Sequence, residues 1–430
     1  ASLFFAFLIS FATLSWIRLL TDVPSLGATV GLIFASVALF MGSVFFLYSL
    51  KYYITLAIVL SFSQEEGVAN GYTNENSNGK KRNLISWILG LAKNGNGNGH
   101  STPFGATGPV GLEPDLAHVS LKKHPFVSVH IPFYNEKNVV ERAISAATNF
   151  DYQGDYEVIL ADDSTDETTE IIRKHQKSFG KSRTSRGDGY TLTECEVRPG
   201  VTLKHLHRTT RSGFKGGALR LALRLCDPRT EFVSVFDADF VPYPDTLELF
   251  LKYFKVQNDM SEDYKKSNVA AVQGYQWHVL NKSENWITRG VRSEYAGSYV
   301  IERSGGEIYG GLKQISGAVY MIRRDVLEEV GWETSITEDF QLTLKLYEAG
   351  YKVVYTPYIQ APAECVSTIK RLIRQRMRWA EGHSQNVKKM FTKLIFNPKL
   401  TLSEKLEFLY LSPYYLQAFF FLVGTISWLI

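Results

Sequence analysis

"FVSVHIPFYNE" (126–136) and "YEVILADDSTDETTEIIRKH" (156–175) are the segments that decide the fold. Each opens with an apolar run and breaks off at polar residues, and the second leads into a pattern of helical period. Strand, loop, helix, repeated, predicts an α/β domain on an open, mostly parallel sheet. Ligands of such sheets sit beyond the carboxyl ends of the strands, where Asp162 and Asp163 fall. The competing reading is an acidic helix start capped by Ser164 or Asp166. No G-x-G-x-x-G opens the first helix, which argues against a dinucleotide-binding domain.

Further segments add chemistry. "FVSVFDADFVPYPDTL" (232–247) is another apolar strand ending in acids, Asp237 and Asp239. Such acids at a strand mouth are solvated, capped, or hard oxygen ligands for a divalent cation and a substrate diphosphate. "HRTTRSGFKGGALRLALR" (207–224) combines Arg211, Lys215 and glycines at a helix start, where backbone N–H groups attract phosphate; the alternative is a flexible basic loop. In "SITEDFQLTLKLYEAGYKV" (335–353) Glu338 and Asp339 precede an apolar periodic stretch. They mark a helix start, capped by Thr337 or Asp339, or a catalytic base. "IKRLIRQRMRWAEGHSQN" (369–386) is a basic amphipathic helix suited to anionic lipid headgroups.

Apolar residues pile up at both ends of the 430-residue chain. Leu26 to Leu50 carries no charge and exceeds the roughly 20 residues a helix needs to cross a bilayer. Residues 2–20 are a second span or a signal-like segment, and 409–430 a third apolar run, broken near Pro413. The chain starts without Met and stops inside that run, which predicts a longer protein with further spans. Lys51, Lys80, Lys81 and Arg82 follow the span at 26–50 and place the polar domain in the cytoplasm. A net charge of only +4 argues against nucleic-acid binding, and three scattered cysteines fit a reducing compartment. The Asn-, Gly- and Lys-rich stretch from Gly67 to Gly111 reads as a linker, with 84–93 as a membrane-surface segment inside it.

Taken in order, Asp162-Asp163, Asp237-x-Asp239, Thr337-Glu338-Asp339 and Gln375-x-x-Arg378-Trp379 resemble the motif series of processive family 2 glycosyltransferases, the superfamily of cellulose, hyaluronan and cellulose-synthase-like synthases. The resemblance runs from about Val127 to Met390 and implies a GT-A fold. It implies a transmembrane hairpin (1–62), a flexible linker (63–120), a cytoplasmic catalytic domain closed by the basic interfacial helix (121–392), and an interfacial segment opening the C-terminal transmembrane region (393–430).

The resemblance also implies roles. Asp162 or Asp163 contacts the nucleotide base, and Lys215 with its glycines lies along the nucleotide. Asp239 is the main ligand of Mg²⁺ or Mn²⁺, with Asp237 close to ribose or metal. Gln375 orders the site, Arg378 neutralises the diphosphate, and Trp379 stacks on the acceptor sugar. Asp339, beside Glu338, is the general base of an inverting transfer. The implied partners are a nucleotide sugar (UDP-glucose, UDP-N-acetylglucosamine or GDP-mannose), a polysaccharide or lipid-linked acceptor, and membrane lipids. Two readings compete: transfer of one sugar to a lipid acceptor, and a silent scaffold that binds sugar nucleotide. "ISGAV" (315–319) departs from the family's acceptor-side turn, and Glu381 and His383 have no assigned role.

Overall fold

A computed structural model describes residues 17–18, 25–69, 116–281 and 283–429. The expected first span, apart from Ile17 and Arg18, lies outside the described residues, as do most of the linker and the segment at 84–93.

The chain divides into two compact units. One comprises residues 1–54 and 410–430, the other 55–409. Two helical stretches, Leu26–Leu60 and Leu402–Leu429, are long and apolar enough to cross a membrane. The first belongs to α1 (Leu26–Ala69), which continues past the expected boundaries at 50 and 62; no proline or glycine lies between Leu50 and Gly67. Within the smaller unit Lys51 lies 4.1 Å from the ring centroid of Tyr410, a cation–π contact.

The larger unit is built on a nine-stranded sheet in the order β3-β4-β5-β2-β1-β6-β8-β7-β9. Its centre is β1 (Phe126–Phe133), flanked by β2 (Tyr156–Asp162) and β6 (Thr230–Val235), with β5 (Val201–Arg208) beyond β2, all parallel. Their Val, Ile and Phe side chains fill both faces, and most residues of β1, β2 and β6 are buried. On one side β3 (Ser182–Gly187) and β4 (Tyr190–Arg198) extend the sheet as a hairpin, with β4 antiparallel to both neighbours. On the other, β8 (Tyr320–Arg323) runs antiparallel to β6 and to β7 (Val269–His278), which pairs in parallel with β9 (Lys352–Ala363). Only β4 and β8 therefore run against the rest, so the sheet is mixed and mostly parallel, as expected.

The helices that position the site are α2 (Val140–Thr148), α3 (Thr168–Ser178), α4 (Phe214–Leu225), α5 (Thr246–Gln257), and α6 (Trp286–Ala296), which runs into a π-helical turn at Gly297–Arg303. They continue with α7 (Ser304–Ile308), α8 (Arg324–Val330), α9 (Glu338–Ala349) and α10 (Ile369–Ile395). The apolar core lies between the sheet and α2 and α5, around Phe150, Phe232, Phe236, Phe250 and Phe254.

Candidate active site

From β1 the chain builds outward through β2 to β5 on one side and then crosses over to β6 on the other, so the strand order reverses at β1 and a crevice opens beyond its carboxyl end. Asp162 closes β2, Asp237 follows β6 by two residues, Lys215 is the second residue of α4, and Glu338 is the first of α9.

Lys215 draws these segments together. Its Nζ donates to Asp237 Oδ1 at 2.6 Å and to the Gly317 carbonyl at 2.9 Å, and lies 3.4 Å from Glu338 Oε1. Burial opposes its charge, but Asp237 and Glu338 outweigh it and raise the pKa. Asp339 borders the same point: a Cβ on Gly317, whose φ is +79°, would stand 3.3 Å from Asp339 Oδ2 and 3.4 Å from Lys215 Nζ. Burial raises the pKa of Glu338 and of Asp339, and Lys215 works against that rise. In the same 315–319 loop Val319 has a φ of +57°, strained for a β-branched residue.

Thr337 occupies the N-cap position of α9 without making a side-chain cap bond. Asp339 Oδ1 does accept from the Phe340 N–H at 2.8 Å. One carboxylate oxygen thus serves the helix start while the other lies toward Gly317.

Asp239 sits among acids. Burial, then the charge of Asp237, with smaller effects from Glu136 and Glu364, push its pKa up to about 7. Arg142 bonds Glu364 at 2.8 Å, and Arg371, at the start of α10, opposes the rise that burial and Asp237 cause at Glu136. A divalent cation would supply the positive charge that this donor set of hard oxygens calls for, so Asp237 and Asp239 fit the expected metal.

Asp162 and Asp163, at the end of β2, are both held from within the protein. Asp162 is fully buried, and Oδ1 accepts from the Ser164 N–H at 2.8 Å. Its Oδ2 accepts from Thr169 at 2.7 Å and lies 2.9 Å from His205 Nε2 and 3.1 Å from His207 Nδ1. Burial disfavours its charge, yet the bonds from His205 and His207 hold its pKa well below the carboxylate range. Asp163 receives both Nε and Nη2 of Arg208, at 2.6 and 2.5 Å. Both carboxylates are thus tied to β5, Asp162 through His205 and His207 and Asp163 through Arg208.

Asp162, His205 and His207 are also the described residues whose ligand atoms lie close enough together to hold a metal. Two ligands about 2.1 Å from a tetrahedral ion stand about 3.4 Å apart. The 2.9 and 3.1 Å separations are those of hydrogen bonds.

The glycines after Lys215 are accounted for by packing. A Cβ on Gly216 would stand 2.5 Å from the Glu333 carbonyl, and one on Gly217 would overlap the Ser212 carbonyl. Gly216 lets α4 approach the turn before α9, and Gly217 makes room for the loop that opens α4. As for expected caps, Asp166 Oδ1 accepts from Thr168 N–H at the start of α3, while Ser164 receives the Asn135 N–H instead.

On α10, Arg371, Gln375 and Arg378 recur at spacings of four and three and lie along one stripe. Gln375 Oε1 is buried with no hydrogen-bond partner among the described residues. Arg378 is exposed and Trp379 half-buried, with the Arg376 guanidinium 4.5 Å from the indole centroid and paired to Glu294 at 2.6 Å. Ile369, Ile373 and Met377 form an exposed apolar row on this helix.

Three residues unread in the sequence tie α10 to the turn that carries Asp339. Gly382 packs so closely that a Cβ would lie 2.6 Å from Thr337 Oγ1 and 3.0 Å from its backbone N. Asn386 Nδ2 donates to Thr337 Oγ1 at 2.9 Å. The His383 ring stacks on Phe340 with centroids 4.1 Å apart. Their signal was spacing alone, at i+3, i+4 and i+7 from Trp379.

This sheet, with its carboxylates gathered past the central strand ends, has the GT-A architecture. The chain belongs to the family 2 glycosyltransferases: a model described as glycosyl transferase family group 2 matches residues 232–430. Among its relatives is a probable glucomannan 4-beta-mannosyltransferase 6 of Oryza sativa subsp. japonica, 31% identical over 307 residues, covering 70% of this chain and 49% of the rice protein. A probable glucomannan 4-beta-mannosyltransferase 14 of Arabidopsis thaliana is 30% identical, covering 69% of this chain and 52% of its own. The chain spans about half the length of the curated relatives it matches. A solved mannosyltransferase from Pyrobaculum calidifontis, in complex with GDP-Man and Mn²⁺, shares the fold with a TM-score of 0.52 at 18% identity, covering 88% of this chain and 85% of that one.

Proposed function

We propose that this chain is a membrane-embedded inverting glycosyltransferase that moves a sugar from a nucleotide-sugar donor to a growing β-linked polysaccharide. The observation that carries the proposal is the convergence of Lys215, Asp237 and Glu338, with Asp339 beside them, past the ends of the central strands. GDP-mannose is the donor of choice, supported by the mannosyltransferase relatives and by the GDP-Man bound in the Pyrobaculum protein.

The chemistry follows from charge and burial. A nucleoside diphosphate leaves with growing negative charge, which needs positive groups held in place beforehand. Asp237 and Asp239 would hold Mg²⁺ or Mn²⁺, which neutralises that charge when bound. Lys215, already charged and anchored on Asp237, adds a fixed cation. Arg378 is free in its exposed position to turn toward the diphosphate. Asp339 takes the proton of the acceptor hydroxyl as that oxygen attacks the anomeric carbon and the bond to the diphosphate breaks. A buried carboxylate with a raised pKa is a stronger base than one in water, provided it stays ionised, and Lys215 favours the ionised form. The open acceptor on Gln375 suits a sugar hydroxyl. An indole such as Trp379 suits the row of C–H bonds on a pyranose.

Purified full-length protein supplied with GDP-mannose, UDP-glucose or UDP-N-acetylglucosamine in turn tests this reading, with released diphosphate and product length measured together. GDP release and a polymer of β-linked mannose are expected. A single sugar on a lipid would replace the polymerase reading with one-step transfer, and no release from any donor would leave the scaffold.

A further inference from the structure

We infer that Asn386 and His383 are positioning residues, through which α10 sets the location of Asp339; the inference rests on the reading of Asp339 as the base. Glu338 and Asp339 are gripped on both sides from this one helix. Ahead of them, Asn386 Nδ2 lies 2.9 Å from Thr337 Oγ1, 3.2 Å from the Thr337 carbonyl and 3.0 Å from Ser335 Oγ. Behind them, Phe340 lies flat on the His383 ring, with planes 13° apart. Asn386 is 3% exposed and His383 7%, so neither is a surface group able to relax into water. Gly382 leaves no space between helix and turn.

Within α9 itself, Asp339 supplies a side-chain bond at the helix start, accepting from the Phe340 N–H. Thr337, at the N-cap position, makes no cap bond, and its hydroxyl accepts from Asn386 instead. A helix start without a side-chain cap frays more readily. Here the ordering comes from a neighbouring helix, about 45 residues further along the chain.

Trp379 lies one turn before Gly382 and His383 on the same face of α10. The residue proposed to grip the acceptor and those that locate the base are thus carried by one rigid element.

Asn386→Ala, Thr337→Val and the double variant test this in the full-length protein. Thr337→Val removes the accepting hydroxyl without emptying its volume, so it remains informative if Asn386→Ala folds poorly. Expected are a fall in kcat of roughly tenfold or more in each single variant, as for a misplaced catalytic group, and affinity for the nucleoside diphosphate, measured by calorimetry, within about twofold of the parent. The double variant should lose no more than the worse single one, since both remove one shared interaction. Unchanged kcat with a lowered melting temperature would make the contacts merely structural and overturn the inference, as would loss of kcat and nucleotide affinity in parallel. Asp339→Asn run alongside separates the two claims: if it stays active the base assignment fails, whereas an inactive Asp339→Asn with fully active Asn386→Ala sinks the positioning role alone.

Discussion

Lys215 Nζ stands 2.6 Å from Asp237 Oδ1, joining the first turn of α4 to the acids beyond β6. Glu338, 3.4 Å from the same nitrogen, adds the start of α9. A single ammonium group thereby holds three segments that lie far apart in sequence. Lys215→Met should leave two crowded carboxylates without their shared cation. Donor affinity and turnover are both expected to fall, turnover by at least about tenfold. Steady-state kinetics with the favoured donor check this, and a variant with parental kcat/KM would show that the ammonium only braces the fold.

Removal of divalent metal should stop transfer, because Asp237 and Asp239 present only hard oxygen donors. EDTA is expected to abolish diphosphate release and Mg²⁺ or Mn²⁺ to restore it. Asp239→Asn should weaken that restoration and shift the activating metal concentration upward. Full activity in EDTA would remove the metal from the mechanism.

Acid should destabilise the domain through His130. This side chain is fully buried in β1, and burial, aided by the charge of Lys204, lowers its pKa to about 3. In the unfolded chain it titrates near 6.5. Between those values the unfolded state binds a proton that the folded state refuses, so stability is complete above pH 6.5 and is lost as pH falls toward 3. One such histidine costs about 2 kcal/mol by pH 5. His130→Gln, which cannot titrate, should therefore lose less melting temperature between pH 7 and 5 than the parent. Equal losses would mean that other groups carry the acid sensitivity.

Gly216→Ala should be harmful although alanine favours helices, because its Cβ would stand 2.5 Å from the Glu333 carbonyl and 3.3 Å from Glu338 Cβ. Overpacking of this kind costs about 1–3 kcal/mol. A thermal melt reports the cost, and turnover should fall with it because Glu338 must shift. A melt at or above the parental temperature would show that the two helices separate freely.

The strand rhythm was legible because β1, β2 and β6 are buried on both faces and therefore written as apolar runs. The β3–β4 hairpin was not. β3 reads "SRTSRG" and is exposed throughout, so pairing with β4, not composition, makes it a strand. The acids and Lys215 were legible as chemistry, since charged residues rarely end apolar strands without purpose. Their partners were not. Sequence cannot say that His205 and His207 would fill the acceptors of Asp162, or that Arg208 would take Asp163. Nor does it bring Gly382 and Asn386 to Thr337, because helical spacing reveals a shared face but not what that face meets.

Asp339→Asn tests the central claim most directly. The full-length variant should bind the nucleoside diphosphate as the parent does, while release of diphosphate with acceptor present falls by a factor of roughly 10² or more, the scale for loss of a general base. Near-parental release would return Asp339 to its bond with the Phe340 N–H as a helix-start residue and contradict the mechanism built on it.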